Sequence, residues 1–337
     1  MKSTIEKLKN KKNLTTQEIK EVMSAIMSGS ASKEDMASFL LALREKGATI
    51  DEITSAAQIM RQFSLKVKTT HQNFLDTCGT GGDRAGTFNI STVVAFVASG
   101  AGAVVAKHGN RSVSSKCGSA DLLEALGVNL ELTPEQLGKC LDEVGIAFLF
   151  AQKLHPAMKH AAPVRKELGV ETIFNLLGPL TNPASATHQM MGVYDLKMVE
   201  PLAYVLKNLG LKRAMVVHGS DGLDEITTTG VTYISEYNGV KVSSYSFSPV
   251  EYNIALAKPA DLKGGDLTVN LDIIKDILGG KPGPKRDIVI LNSAFALYVA
   301  EKAVDIFEGI ALAKESIDKG KARAKLEELV KFTQTQK

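Results

Sequence analysis

Asp76-Thr77-Cys78-Gly79-Thr80-Gly81-Gly82-Asp83 is the stretch on which the rest of the chain turns. It follows a short apolar run, and the segment after it, Asn89-Ile90-Ser91-Thr92-Val93-Val94-Ala95-Phe96-Val97, has helical character. Gly79, Gly81 and Gly82 let the backbone take positive φ and come close to a ligand. Their N–H groups can converge on an anion. A helix start carrying Asn89, Ser91 and Thr92 also favours phosphate. An ordinary Gly-rich turn between strand and helix is the competing reading. The stretch lacks the Gly-x-x-x-x-Gly-Lys-Ser/Thr spacing of an ATPase P-loop. The dinucleotide fingerprint fails too: Arg84 stands where its third glycine belongs, and Val105 does so after Gly100-Ala101-Gly102.

Outward from this loop, short apolar strands alternate with helices. Residues 74–78, 103–107, 189–193 and 214–217 read as strands; residues 91–99, 120–126, 134–144 and 199–209 read as helices. Thr133 and Pro134 mark one helix start. This alternation predicts an α/β fold with a central, mostly parallel sheet flanked by helices, and ligands at the carboxyl ends of the strands. Residues 231–246 read as a hairpin turning at Asn238-Gly239. The Gly/Pro-rich stretch 279–284 is a break, and the tail from Ser293 is helical.

Residues 1–70 read differently, as helices only. Thr15-x-x-Glu18, Ser32-x-x-Asp35 and Thr49-x-x-Glu52 each have capping-box form, with Gly29 and Gly47 as stops. Nothing in this unit has a catalytic pattern.

Composition bounds the function. The 337 residues suit a large α/β domain with a smaller one. A formal net charge of +3, from 40 basic and 37 acidic residues, gives no electrostatic case for nucleic acid or an acidic membrane. Cys78, Cys117 and Cys140 lack metal-ligand spacing, and their odd number suits a reducing cytosol. The start of the chain has no signal-peptide pattern, and the longest apolar stretch, residues 93–106, is too short to span a bilayer. A cytoplasmic protein is the expectation.

Three further stretches carry chemistry. Lys107-His108-Gly109-Asn110-Arg111-Ser112-Val113-Ser114-Ser115-Lys116-Cys117-Gly118-Ser119 brings cations, an amide and hydroxyls together just after a predicted strand. That mixture suits phosphate, although a solvated polar loop has a similar composition. Asp221-Gly222-Leu223-Asp224-Glu225 offers adjacent carboxylates for a Mg²⁺ shared with substrate phosphates, or simply a turn whose acids cap an element. In the segment from His155 through Pro163-Val164-Arg165 to Asn175-Leu176-Leu177-Gly178-Pro179, Arg165 could clamp a carboxylate with its planar fork. No histidine pair has zinc-enzyme spacing, and no set of side chains is arranged for a covalent nucleophile. Catalysis by orientation and electrostatics fits this inventory.

Gly-Thr-Gly-Gly-Asp at 79–83, Asn-Ile-Ser-Thr at 89–92, Lys-His-Gly-Asn-Arg-Ser at 107–112, Pro-Val-Arg at 163–165, Asn-Leu-Leu-Gly-Pro-Leu-Thr-Asn-Pro at 175–183 and Asp-Glu at 224–225 together resemble the anthranilate phosphoribosyltransferase family. The resemblance runs in order over nearly the whole chain. It implies transfer of phosphoribose from 5-phosphoribosyl 1-diphosphate (PRPP) to the amine of anthranilate, releasing diphosphate, the second step of tryptophan biosynthesis from chorismate. It also implies that Gly79, Gly82, Asp83, Thr87, Asn89, Ile90, Ser91, Thr92, Lys107, His108, Gly109, Asn110, Arg111, Ser112, Val113, Ser114, Ser115 and Ser119 form the PRPP site. Gly79, Asn110 and Arg165 would contact anthranilate, and Ser91, Asp224 and Glu225 would hold two Mg²⁺ ions. No general base is implied; His108 is the nearest candidate.

The resemblance further implies a homodimer joined through a small helical domain made of residues 1–70 plus about 165–185. Residues 71–164 plus 186–337 would form the large domain, of the nucleoside phosphorylase/phosphoribosyltransferase type. Glu171 stands where a typical member has Arg, away from every binding position named above. Two alternatives share the fold: a pyrimidine nucleoside phosphorylase-like enzyme, and a non-enzymatic nucleic-acid-binding relative, which should be strongly basic.

Overall fold

Three of the N-terminal helices begin where their caps, Thr15, Ser32 and Thr49, place them. In this computed structural model, which describes residues 1–83, 85–111 and 117–336, α1 spans Lys2–Lys9, α2 Thr16–Ser28, α3 Lys33–Lys46 and α4 Ile50–Gln62. Thr15 with Glu18, and Thr49 with Glu52, form complete capping boxes. Ser32 caps α3, but Asp35 does not return the bond, its side chain being one methylene shorter than Glu. Gly29 and Gly47 end α2 and α3 at positive φ. Glu52 joins the bundle beneath its surface. It pairs with Lys46 at 2.8 Å, and accepts from the N–H of Leu14 at 2.9 Å and of Thr49 at 2.7 Å. These bonds satisfy a carboxylate that burial would otherwise penalise.

The α/β part follows in order: β1 (Leu75–Asp76), α5 (Ile90–Gly100), β2 (Val105–Gly109), α6 (Ser119–Ala125), α7 (Pro134–Val144), β3 (Ile146–Phe150), α8 (Ala151–Leu154), α9 (Met158–Leu168), α10 (Ile173–Leu177), β4 (His188–Gly192), α11 (Val199–Asn208) and β5 (Arg213–Gly219). The hairpin β6 (Thr232–Tyr237) and β7 (Val242–Phe247) comes next, then α12 (Leu267–Leu278), α13 (Pro284–Val299), α14 (Ile306–Asp318) and α15 (Lys321–Thr335). The strands form one sheet in the order β3-β2-β1-β4-β5-β6-β7. Pairings from β3 to β5 are parallel, and β6 and β7 complete the sheet antiparallel. The α/β expectation, the hairpin and the helix Pro134–Val144 stand as read.

Three strands depart from expectation. β1 is only Leu75–Asp76, because the Thr77 carbonyl is taken by the Lys107 side chain instead of a neighbouring strand. β2 lies two residues later than expected, since Gly102 at φ 93° holds the chain in a turn before it. His108 and Gly109 are therefore in the strand with Lys107, not in a loop after it. β3 was not expected at all; Ile146-Ala147-Phe148-Leu149-Phe150 is buried throughout, so it shows no alternation.

Two cores share the sheet. On β5, Met215 and Val217 face one core, while Ala214 and Val216 face the other. This is the two-residue period of a strand buried on both sides. The first core holds α5 and α13, which are buried almost all round. The second runs from the N-terminal bundle through Ala161, Val164, Phe174 and Leu177 to Leu202 and Leu206 of α11. Among the described residues, no helix is long and apolar enough to cross a membrane.

Candidate active site

The strand order reverses between β1 and β4. From β1 the chain builds outward through β2 to β3, and from β4 it builds the other way. A crevice at the carboxyl ends of such a pair is where open α/β sheets bind ligands. The Gly loop leaves β1 here, and Gly192 ends β4 beside it. Thr80 N–H donates to the Gly192 carbonyl at 2.9 Å, and Gly81 N–H donates to Asp224 Oδ2 at 2.8 Å. Gly81 and Gly82 take φ of 63° and 88°, which L side chains resist.

Two glycines are required for closeness alone. A Cβ on Gly79 would lie 3.0 Å from Asp224 Oδ2 and 3.1 Å from the Gly192 carbonyl. A Cβ on Gly192 would lie 1.5 Å from the Asp224 carbonyl oxygen. Gly192 thus seats the acidic turn against the Gly loop, and reasoning from sequence did not single it out. Its signal was a lone glycine closing an apolar strand.

Lys107 is buried at 4% exposure beneath the loop. Its Nζ donates to the Thr77 carbonyl at 3.0 Å and to Ser91 Oγ at 3.2 Å. The row of free N–H groups expected at the start of α5 is not present as such. Ile90 N–H is bonded to Phe88 and Thr92 N–H to Asn89, because the chain enters the helix through a tight turn. The Ile90 side chain belongs to the core. Asn89 Oδ1 and Thr92 Oγ1, by contrast, are buried without a partner among the described residues. Such atoms are costly unless a polar ligand or water meets them.

Asp224 and Glu225 are partly buried and face Asp83 and Ser91. Burial pushes the Asp224 carboxyl up to about 7, with the Asp83 charge adding to it and the Gly81 N–H opposing. Burial, and then Asp224 itself, push Glu225 well up, with the Lys107 charge opposing. Burial and mutual repulsion favour the protonated form of carboxylates crowded this way. A hard divalent cation is what their oxygens fit.

Gly109 lies so close to Ser119 Oγ and the Phe148 ring that a Cβ would meet them at 2.5 and 2.6 Å. Ser119 Oγ donates to the Asn110 carbonyl at 3.2 Å, and Asn110 itself is exposed. Thr87 bridges to Lys263 at the far side of the Gly loop. Arg111 does not present its charge to the crevice: it pairs with Asp121 at 2.9 Å and Glu124 at 2.8 Å, and its guanidinium lies 5.6 Å from the Phe150 ring centre. Ser112, Val113, Ser114 and Ser115 lie outside the described residues.

His108, the nearest candidate for a base, sits in surroundings that make it a poor one. It is buried at 3% exposure, with Nε2 3.2 Å from Nε2 of His155. Burial and that second imidazole hold it well below the usual histidine range, and burial brings His155 to about 4. Both rings are neutral near pH 7 and only weakly basic.

Arg165 lies on α9, half-buried, with its guanidinium 5.4 Å from the Phe174 ring centre. It makes no ion pair with a described residue. Glu171 is nearer to the site than expected. Its Oε2 accepts from the Tyr194 hydroxyl at 2.8 Å, while the Tyr194 ring lies against Gly82 and its N–H donates to Thr80 Oγ1 at 3.3 Å. Tyr194, also missed from sequence, connects the segment after α9 to the Gly loop.

A helical bundle beside an α/β sheet with a glycine-lined crevice is the build of a glycosyl transferase: residues 2–64 match the helical bundle domain of the glycosyl transferase family and residues 71–323 its a/b domain. Anthranilate phosphoribosyltransferase from Acetivibrio thermocellus is 55% identical over 99% of this chain and 96% of the relative. That from Petrotoga mobilis is 50% identical over 98% and 96%. The crystal structure of the Thermus thermophilus enzyme superposes with a TM-score of 0.94 at 42% identity, covering 98% of this chain and 99% of the other. The Saccharomyces cerevisiae enzyme in complex with PRPP and Mg gives 0.92 at 27% identity, covering 99% and 97%. The chain belongs to the anthranilate phosphoribosyltransferase family. Neither the nucleoside phosphorylase alternative nor the nucleic-acid-binding one is favoured by these relatives.

Proposed function

We propose that this chain transfers the phosphoribosyl group of PRPP to the amine of anthranilate. The observation that carries the reading is the Gly81 N–H to Asp224 contact of 2.8 Å, which joins the anion-binding loop to the acidic pair at the switch point. Asp224 and Glu225 would hold one Mg²⁺, and Ser91 Oγ a second. Bound there, the cation would neutralise diphosphate oxygens and make diphosphate a better leaving group.

The chain's own groups do the rest by position and charge. The N–H groups of Gly79, Gly82 and Asp83 line the phosphate side, together with Thr87, Asn89 and Thr92. Lys107 supplies fixed positive charge from below. The C1–O bond to diphosphate breaks as the C1–N bond forms, so the ribose carbon gains oxocarbenium character. The aromatic amine attacks neutral, and the proton its nitrogen then sheds passes to the released diphosphate or to water. His108 is too weakly basic to be asked for it. Asn110, with Gly79 nearby, would orient the amine, and Arg165 would take the carboxylate. Homodimer formation through a helical domain of residues 1–70 and about 165–185 is part of the same proposal.

Anthranilate fluorescence tests it. Its loss should need both PRPP and Mg²⁺ and should stop with EDTA. Asp224→Asn with Glu225→Gln should raise the half-saturating Mg²⁺ concentration and cut turnover about 100-fold, as expected when several kcal/mol of charge stabilisation is removed. No turnover with PRPP and Mg²⁺ present would overturn the reaction; unchanged Mg²⁺ dependence in the double variant would remove the acids from the metal.

A further inference from the structure

The acidic pair has a support that is remote in sequence. Asn292 of α13 is 0% exposed and surrounded in its helix by Ile288, Val289, Leu291 and Phe295, all in the first core. Its Oδ1 accepts from the Ile226 N–H at 2.9 Å, and its Nδ2 donates to the Ile226 carbonyl at 2.7 Å. Nδ2 also donates to the Ile288 carbonyl one turn back at 2.8 Å. The amide thus gives Ile226 both bonds that a strand partner would give, although Ile226 belongs to no strand. A polar side chain is costly inside an apolar helix face unless every group is bonded. Here each one is.

Ile226 directly follows Glu225. On the other side of Glu225, Asp224 is held by the Gly81 N–H and by its backbone contact with Gly192. Beyond Ile226, Thr227 is anchored through its N–H to Thr232 Oγ1 at 3.1 Å and through its hydroxyl to Asp221 at 2.7 Å. Glu225 sits between these two anchors, with its carboxylate meeting the Ser91 N–H and the Lys107 charge. The peptide that Asn292 grips is the one that follows the Glu225 side chain directly.

We infer that Asn292 is a positioning residue for the metal site: it fixes the Ile226 peptide so that the Glu225 carboxylate faces the cation carried with the diphosphate. The inference rests on the reading of Glu225 as a metal-holding residue. Groups behind metal ligands commonly set affinity by 10–100-fold, without touching the ion.

The test is Mn²⁺ binding, read from the free-ion EPR signal, with PRPP present and anthranilate absent. It compares the unaltered protein, Asn292→Leu, Asn292→Asp and Glu225→Gln, alongside Tm and the anthranilate KM. Asn292→Leu keeps the shape and removes all three bonds; it should weaken Mn²⁺ binding about tenfold, in the direction of Glu225→Gln, with the anthranilate KM within about twofold. Asn292→Asp keeps the acceptor for the Ile226 N–H but sets an oxygen against the Ile226 and Ile288 carbonyls; it should weaken Mn²⁺ binding in the same direction, and carries the comparison if the leucine variant does not fold. A lower Tm with unchanged Mn²⁺ affinity would reduce Asn292 to a structural residue and overturn the inference. Unchanged affinity in Glu225→Gln would overturn it from the other side, by removing the reading on which it rests.

Discussion

Arg165 shows how one residue's surroundings can state a need. Its guanidinium is half-buried, lies over Phe174 and has no carboxylate partner among the described residues. Burial lowers its pKa, and no neighbouring acid offsets that. A desolvated cation without a partner is unfavourable until an anion arrives, and a carboxylate can accept two parallel bonds from it. Arg165→Ala should therefore raise the anthranilate KM about 10–100-fold, the worth of a charged hydrogen bond, while the PRPP KM stays within about threefold. Steady-state kinetics with each substrate varied in turn will show it. Equal effects on both would take Arg165 out of the carboxylate-binding role. Arg165 was legible in sequence because it sits in a recognisable run, Pro163-Val164-Arg165. Lys107 was legible as a cation, but not as the buried tie between Thr77 and Ser91. Asn292 was not legible at all. Its partner is 66 residues away, and nothing in a helix sequence tells a clamped asparagine from a packed one.

At the scale of elements, local signals were read well and long-range ones poorly. Caps at Thr15, Thr49 and Thr133 fix helix starts through bonds three residues long, so the chain carries them in its own text. Strand limits are set by neighbours. β1 ends early because a side chain from β2 takes its next carbonyl, and β3 is hidden by being buried on both faces. The end of β4 is the clearest case of an element built for its neighbour. Gly192 Cα takes the place where any side chain would collide with the Asp224 carbonyl. That obstacle is backbone, so no rotamer relieves it. Gly192→Ala should displace the acidic turn from the Gly loop, cost about 3 kcal/mol of stability as overpacking does, and lower kcat/KM at least about 100-fold. Circular dichroism should still report a folded α/β protein. A variant within twofold of normal kcat/KM would mean that the loop and the turn need not touch for activity.

Across the whole molecule, the two cores meet at the centre of the sheet, and Asp76 is where they are tied. It is 0% exposed at the end of β1. Its Oδ1 accepts from the His108 N–H of β2 at 3.1 Å, and its Oδ2 accepts from Asn182 Nδ2 at 2.8 Å. Asn182 also donates to the Ala106 carbonyl at 2.8 Å and comes two residues after Leu180, a member of the second core. Burial pushes the Asp76 carboxyl up to about 6, against the opposing pull of Asn182, Lys107 and the His108 N–H. In the unfolded chain the same group titrates at about 4. Between those values the folded protein holds the extra proton, so stability falls as pH rises from about 4 to about 6 and levels off above that. The span of about two pH units corresponds to about 3 kcal/mol. Asp76→Asn cannot titrate; it also sets an amide donor against one of two donors, which should cost about 1–3 kcal/mol at every pH. Thermal unfolding across pH 4 to 7 should therefore give curves that are not parallel: the unaltered protein loses stability relative to the variant as pH rises, until Asp76 is ionised in both states. Parallel curves would show that the carboxyl at the junction of the two cores titrates when folded as it does when unfolded, with its hydrogen bonds balancing its burial.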